Sequence, residues 1–305
     1  MPKSSPLGRF VWHELITTDT KAAERFYKAV VGWGTKRWGN DASYRVWTTS
    51  DGLSGGLMEL AEDATQGSSA PSWLSYIGAP DVDGTVRQAS ALGGRLLTGP
   101  LDIPTVGRVA VIADPQGAPF AVISPKGWEP DGDGDARLGS FSWHDLATTD
   151  PEAAFRFYAA LFGWERIEAL HLAPGQVYQI FGRAGQGHGG MYNEMAGPTA
   201  RPHWLGYALV PDVERAAAAV LARGGQVVRG PMEVPGGDRI AQCIDPQGAA
   251  FAVHTAPRPA HTPKAATRSA TKTKGVKKKS VKKKKKKVVK QAEKRSHKKR
   301  RAPRR

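Results

Sequence analysis

The sequence predicts an α+β protein: two tandem copies of one domain, each built from repeated strand–helix–strand units, followed by a basic tail. Three observations predict it. Residues 8–125 overlay residues 139–256 at an offset of 131, pairing Gly8 with Gly139, Trp12 with Trp143, Trp33 with Trp164, Trp73 with Trp204, Asp114 with Asp245 and Phe120 with Phe251. Self-similarity at one fixed spacing marks a duplicated structural unit. Inside each copy, short strand-like runs alternate with two segments of helical periodicity. Charge, finally, is segregated: residues 261–305 carry 22 Lys and Arg against one acid, Glu293, a net +21, so the chain's +16 leaves −5 for the rest.

The elements follow in order. FVWHELITT alternates as a half-buried strand does. Asp19 then reads as the N-cap of a helix running to about Val31, with Gly32 ending it. Its second-copy counterpart, Asp150, is followed by Pro151, the residue best suited to a first helical position. Ala22, Ala23, Phe26, Tyr27 and Val30 recur at steps of three and four and give that helix an apolar face. Three short strands are expected near Trp33–Trp38, Tyr44–Thr48 and Gly56–Leu60. The pattern then restarts: WLSYIGA is a strand, Asp81 caps a second helix ending at Gly93 and Gly94, and RLLTG, RVAVIA and FAVI are three more strands. DPQG between the last two is a turn. A Gly- and Asp-rich stretch within 126–138 joins the copies, and 257–305 forms the tail.

Several classes are excluded. The single cysteine, Cys243, forbids an intrachain disulfide and a cysteine-cluster zinc site, and suits a reducing compartment. No apolar run approaches the roughly 18 residues of a membrane helix, and the N-terminus lacks the apolar core of a secretory signal. The expectation is a cytoplasmic protein without a membrane partner.

The FY near the end of the first helix, the GW after it, the ALGG ending the second helix and the DP-x-G turn, repeated in both copies, resemble the vicinal oxygen chelate (VOC) superfamily of glyoxalase I, bleomycin-resistance proteins and extradiol dioxygenases. The resemblance covers residues 8–256. It implies that each copy is a VOC domain of two paired βαβββ modules forming a half-open barrel, whose concave face holds a small molecule. It also implies a divalent metal gripped by His, Gln or Glu at the start of a module's first strand and by Glu in its last. Counting back seven from each helix-capping aspartate, the first position holds Trp12, Leu74, Trp143 or Leu205; the last-strand position holds Ala121 or Ala252. None of these side chains ligates a metal. The expectation is therefore no cofactor, with a divalent metal on atypical ligands as the alternative.

Strand parity then names what lines each face, because residues two apart share a side. Trp12 brings Glu14, Trp143 brings Asp145, Leu74 brings Tyr76 and Leu205 brings Tyr207. Each face offers an indole, a carboxylate and a phenol, which suits a flat or cationic organic ligand. Glu14 and Asp145 are also the candidate catalytic residues, as general bases. A structural ion pair, with Arg45 as the partner of Glu14, competes with that reading. His13 and His144 fall on the opposite parity and read as core residues; His254 could share the face of Asp145, while His171, His188 and His203 read as surface or loop.

The tail has no aromatic residue and little apolar content, so it is predicted to be disordered. It resembles the lysine-rich tails of histone H1 and of some nucleoid proteins. Lys277, Lys278, Lys279, Lys282, Lys283, Lys284, Lys285, Lys286, Lys287, Lys298, Lys299, Arg300 and Arg301 are its candidate contacts to nucleic acid, without sequence specificity. Three functions stay open: a small-molecule-binding or sequestering protein, an enzyme, and a nucleoid-associated scaffold. The sequence leaves the oligomeric state open.

Overall fold

The computed structural model describes residues 5–39, 41–60, 70–128, 136–193 and 201–255. The tail and its candidate nucleic-acid contacts lie outside the described residues. In the first copy the elements are β1 (Phe10–Thr17), α1 (Thr20–Val30), β2 (Gly34–Trp38), β3 (Asp41–Thr48), β4 (Leu53–Glu59), β5 (Ser72–Gly78), α2 (Val82–Ala91), β6 (Arg95–Ile103), β7 (Gly107–Ala113) and β8 (Pro119–Pro125). The second copy repeats them as β9 (Phe141–Thr148), α3 (Pro151–Phe162), β10 (Glu165–Ala173), β11 (Gln176–Arg183), β12 (Gln186–Asn193), β13 (His203–Leu209), α4 (Val213–Ala222), β14 (Gln226–Glu233), β15 (Arg239–Ile244) and β16 (Ala250–Thr255).

Local chemistry explains the boundaries. All four helices start at an extended aspartate, Asp19, Asp81, Asp150 or Asp212, whose carboxylate accepts the N–H three residues on. Helix α3 ends at Gly163 with φ of 68°, a left-handed turn that glycine reaches without strain. His171, His188 and His203, expected at the surface or in loops, stand in the strands β10, β12 and β13, His171 exposed and the other two half-buried.

Each copy is one curled eight-stranded sheet. The first has the order β2-β3-β4-β1-β5-β8-β7-β6, and the second the equivalent order β10-β11-β12-β9-β13-β16-β15-β14. The modules of a copy meet where their first strands pair antiparallel, Trp12 opposite Tyr76 and Trp143 opposite Tyr207. Each first strand also pairs parallel with its own module's last strand, as Glu14 does with Gly56 and Tyr76 with Ala121.

The helix sides of the sheets face one another, and the cores are shared between copies. One joins Leu15, Phe26, Tyr27 and Trp33 of the first copy to Val213, Ala217, Val220 and Phe251 of the second. The other joins Ile77, Val82, Ile112 and Phe120 to Phe155, Tyr158, Leu161 and Trp204. Each fully buried Leu or Phe side chain stabilises this arrangement by about 2 kcal/mol. Cys243 lies in the first core, where burial pushes its thiol up to about 12.

Polar bonds across the seam come in reciprocal pairs. The Trp33 indole donates to the Gly139 carbonyl at 2.8 Å, and the Trp164 indole to that of Gly8 at 2.7 Å. Trp73 donates to the Tyr27 hydroxyl, which donates to Asp245 Oδ2 at 3.1 Å; Trp204, Tyr158 and Asp114 repeat this in the other direction. The other oxygen of Asp114 and of Asp245 accepts two backbone N–H groups, from the glutamine of its own DPQG turn and from the alanine that follows the turn. Such reciprocity defines an approximate two-fold axis relating the copies. On it His13 Nε2 meets His144 Nε2 at 2.8 Å, with Phe10 stacked on His144 and Phe141 on His13. Burial lowers both imidazoles, His13 to about 3 and His144 well below the ordinary value. The parity argument that placed them on the helix side of their strands agrees with this geometry.

Candidate functional site

The concave faces hold the predicted carboxylates. Trp12 and Glu14 project there from β1 and Tyr76 from β5; Trp143 and Asp145 project from β9 and Tyr207 from β13. Glu14 is 7% exposed and Asp145 5%. A carboxyl this deep needs hydrogen-bond partners, and phenols provide them. Tyr44 donates to Glu14 Oε1 at 2.7 Å and Tyr76 to Oε2 at 2.8 Å. In the second copy Tyr178 donates to Asp145 Oδ1 at 2.6 Å and Tyr207 to Oδ2 at 2.7 Å. The Trp143 indole adds a third donor to Asp145 Oδ1 at 3.1 Å and also reaches the Tyr178 hydroxyl at 2.7 Å. Gln242 donates to the Tyr207 hydroxyl at 2.7 Å.

Burial dominates the acidity of both groups. It raises Glu14 above the ordinary carboxylate range against the opposing pull of its two phenols, and raises Asp145 to about 6 against Tyr178, Tyr207 and Trp143. The phenols are themselves shifted upward, by burial first and the carboxylate charge second, so they stay protonated donors. Each site thus combines a carboxyl of raised pKa, two fixed phenolic donors and a half-buried indole.

Tyr44, Tyr178 and Gln242 were not anticipated. Tyr44 and Tyr178 are equivalents separated by 134 residues, as are Gly55-Gly56 and Gly189-Gly190. The offset slips by three between β2 and β4 and returns to 131 at β5, so a fixed overlay hides the pair. The recurring Gly-Gly is the signal that locates the slip. Its purpose is steric: a Cβ on Gly56 would collide with the Tyr44 hydroxyl, and one on Gly190 with the Tyr178 ring.

One expectation is corrected: Arg45 does not pair with Glu14; it lies on the other face of β3 from Tyr44 and forms an ion pair with Glu24 of α1 and a hydrogen bond to Thr35. His254 bonds Ser142 at 2.6 Å, and its ring centre is 6.3 Å from that of Tyr207, the phenol that donates to Asp145.

The positions at which a divalent metal would be held are in place as backbone. Leu74 lies opposite Glu14, Ala121 beside Tyr76, and Leu205 and Ala252 pack with Tyr207 in a small buried cluster. The side chains there do not fit such an ion, since an indole N–H and hydrocarbon offer it no lone pair. Among the described residues no three His, Cys, Asp or Glu side chains gather as a metal set. No described helix is long and apolar enough to cross a membrane.

Comparison with known proteins agrees with the architecture. "Putative glyoxylase CFP32" of Mycobacterium tuberculosis (strain CDC 1551 / Oshkosh) is 33% identical over 262 residues, 83% of this chain and 97% of the relative. "Anthracycline biosynthesis protein DnrV" of Streptomyces peucetius is 29% identical, covering 81% of this chain and 92% of its own. In fold, the chain is similar to the Mn(II)-bound glyoxalase of Novosphingobium aromaticivorans, with a TM-score of 0.58, 17% identity and 84% of each chain covered. It is likewise similar to the 2,3-dioxygenase LapB of Pseudomonas sp. KL28, with a TM-score of 0.58, 12% identity and 83% and 94% covered. With residues 9–122 and 138–253 each matching the family's sequence profile, the chain belongs to the Glyoxalase/Bleomycin resistance protein/Dioxygenase superfamily in two tandem copies.

Proposed function

We propose that the chain binds a small organic molecule on a concave face without the superfamily's metal, and that its tail delivers it to nucleic acid. The observation that carries the first part is the carboxyl bracketed by two phenols beside a half-buried indole, present in both copies. An indole face stacks on a flat ring, and the carboxyl fixes the orientation of an N–H, O–H or cationic group. Two relatives named for anthracycline biosynthesis support a flat, polycyclic ligand, the shape of an anthracycline ring system. Support for metal independence is the donor set itself: Trp12, Leu74 and Ala121 stand where lone pairs are required.

The test is a tryptophan-fluorescence titration with flat aromatic amines, run before and after exhaustive treatment with a chelator. Saturable quenching that survives the chelator and weakens at least tenfold in the Glu14→Gln/Asp145→Asn double variant is expected. Binding that disappears with the chelator and returns with one divalent ion overturns the reading.

The tail's role rests on its sequence charge of +21. About ten phosphate contacts give a logarithmic salt slope near nine on duplex DNA. Removing residues 257–305 should abolish retention on DNA at moderate salt; equal retention by the truncated protein would place the contact elsewhere.

A further inference from the structure

We infer that the two concave faces are not equivalent: the first copy takes the ligand, an organic cation, in a box completed by Trp128 from the segment joining the copies, while the second is closed by its own side chains. This rests on the small-molecule reading above and narrows it to one face and one chemical class.

Hydrogen-bond capacity separates the faces. Among the described residues Asp145 receives three side-chain donors, and the phenol that holds its second oxygen is in turn occupied by Gln242. Glu14 receives two from the described residues, one on each oxygen, which leaves each a lone pair toward them for an entering group. Side-chain bulk points the same way. On the concave side of β12 the second copy has Tyr192, its ring 6.0 Å from that of Tyr178, where the first copy has Met58 on β4. At the position of Gln242 on β15 the first copy has Val111 on β7. The second face is therefore crowded by a ring and an amide that the first lacks.

Trp128 adds a second indole beside the first face. Its indole is pinned by a 2.7 Å bond to the Val106 carbonyl, and its ring centre lies 6.0 Å from that of Trp12, inclined at 58°. The equivalent position in the second copy is Pro259. Trp128 thus sets a second indole, inclined to Trp12, beside the carboxylate that Tyr44 and Tyr76 hold. The negative faces of aromatic rings attract an ammonium group, and the carboxylate neutralises it. A neutral ligand of the same shape forfeits both contributions.

The test uses choline as the probe and 3,3-dimethylbutan-1-ol, its uncharged isostere, as the control, with the indole N–H resonances of ¹⁵N-labelled full-length protein as the readout. Each signal is assigned from single Trp→Phe variants. Choline is expected to shift Trp12 and Trp128 saturably at one molecule per chain, leaving Trp143 unmoved. The alcohol should bind at least tenfold more weakly. Trp128→Ala should weaken choline binding by about three- to tenfold, with a thermal midpoint near that of the parent because Trp128 lies outside both shared cores. Equal shifts at Trp143 and Trp12 would overturn the asymmetry. Equal binding of the alcohol, or flat aromatic amines shifting Trp12 while choline does not, would overturn the organic-cation class and leave the small-molecule reading standing. If neither choline nor the aromatic amines move any indole, both fall together.

Discussion

At Gly56 and Gly190 the missing side chain is what lets a phenol reach the carboxylate behind it. Gly56→Ala should push Tyr44 off Glu14, costing about 1–3 kcal/mol through overpacking and a lost bond. Since the Tyr44 bond lowers the Glu14 pKa, its loss should raise that pKa further. Chemical denaturation and a carboxyl-carbon NMR titration check the two effects. Asp145 gives a separate prediction. Its folded pKa, about 6, exceeds the ordinary 3.8, so the folded state holds the proton more tightly. Its contribution to stability is fully present below about 3.8 and is lost as pH rises through 6, by about 3 kcal/mol in total. The stability of the parent minus that of Asp145→Asn, followed from pH 3.5 to 7, should fall over that window; a flat difference would contradict it.

The elements meet across the seam through two Trp–Tyr–Asp relays. Tyr27→Phe and Tyr158→Phe each leave a buried carboxylate oxygen of the opposite copy short of a donor, and each should cost about 1–2 kcal/mol. The relays share no residue, so the double variant should show nearly additive loss in urea melts. Much of this was legible at the level of elements and little at the level of partners. Helix caps at Asp19, Asp81 and Asp150 follow from local chemistry, and strand parity placed Trp12, Glu14 and Tyr76 on one side and His13 on the other. The FY, GW and DP-x-G motifs were read as marks of a fold within one copy. Periodicity says that a face is buried, not what buries it, and Tyr27, Trp33 and Asp114 prove to bond the other copy. Tyr44 and Tyr178 escaped because a three-residue slip is invisible to a rigid overlay, and Arg45 was misassigned because one step along β3 exchanges the faces.

For the whole molecule, the His13–His144 contact makes the union of the copies sensitive to acid. Both imidazoles are held below the ordinary 6.5, His13 at about 3, by burial. Their stabilising effect is therefore intact above 6.5 and drains away as pH falls toward 3. The thermal midpoint should decline below pH 6, offset in part by Asp145, and His13→Gln/His144→Gln should remove most of that decline; an unchanged slope would exclude the pair as its source. The reciprocity of the seam carries one more consequence. Polypeptide continuity is not what keeps the halves together, because the shared cores and paired bonds do so on their own. A protease site engineered into residues 129–135 and then cut should give two fragments that co-elute as one particle, and halves expressed from separate genes should find each other in the same way.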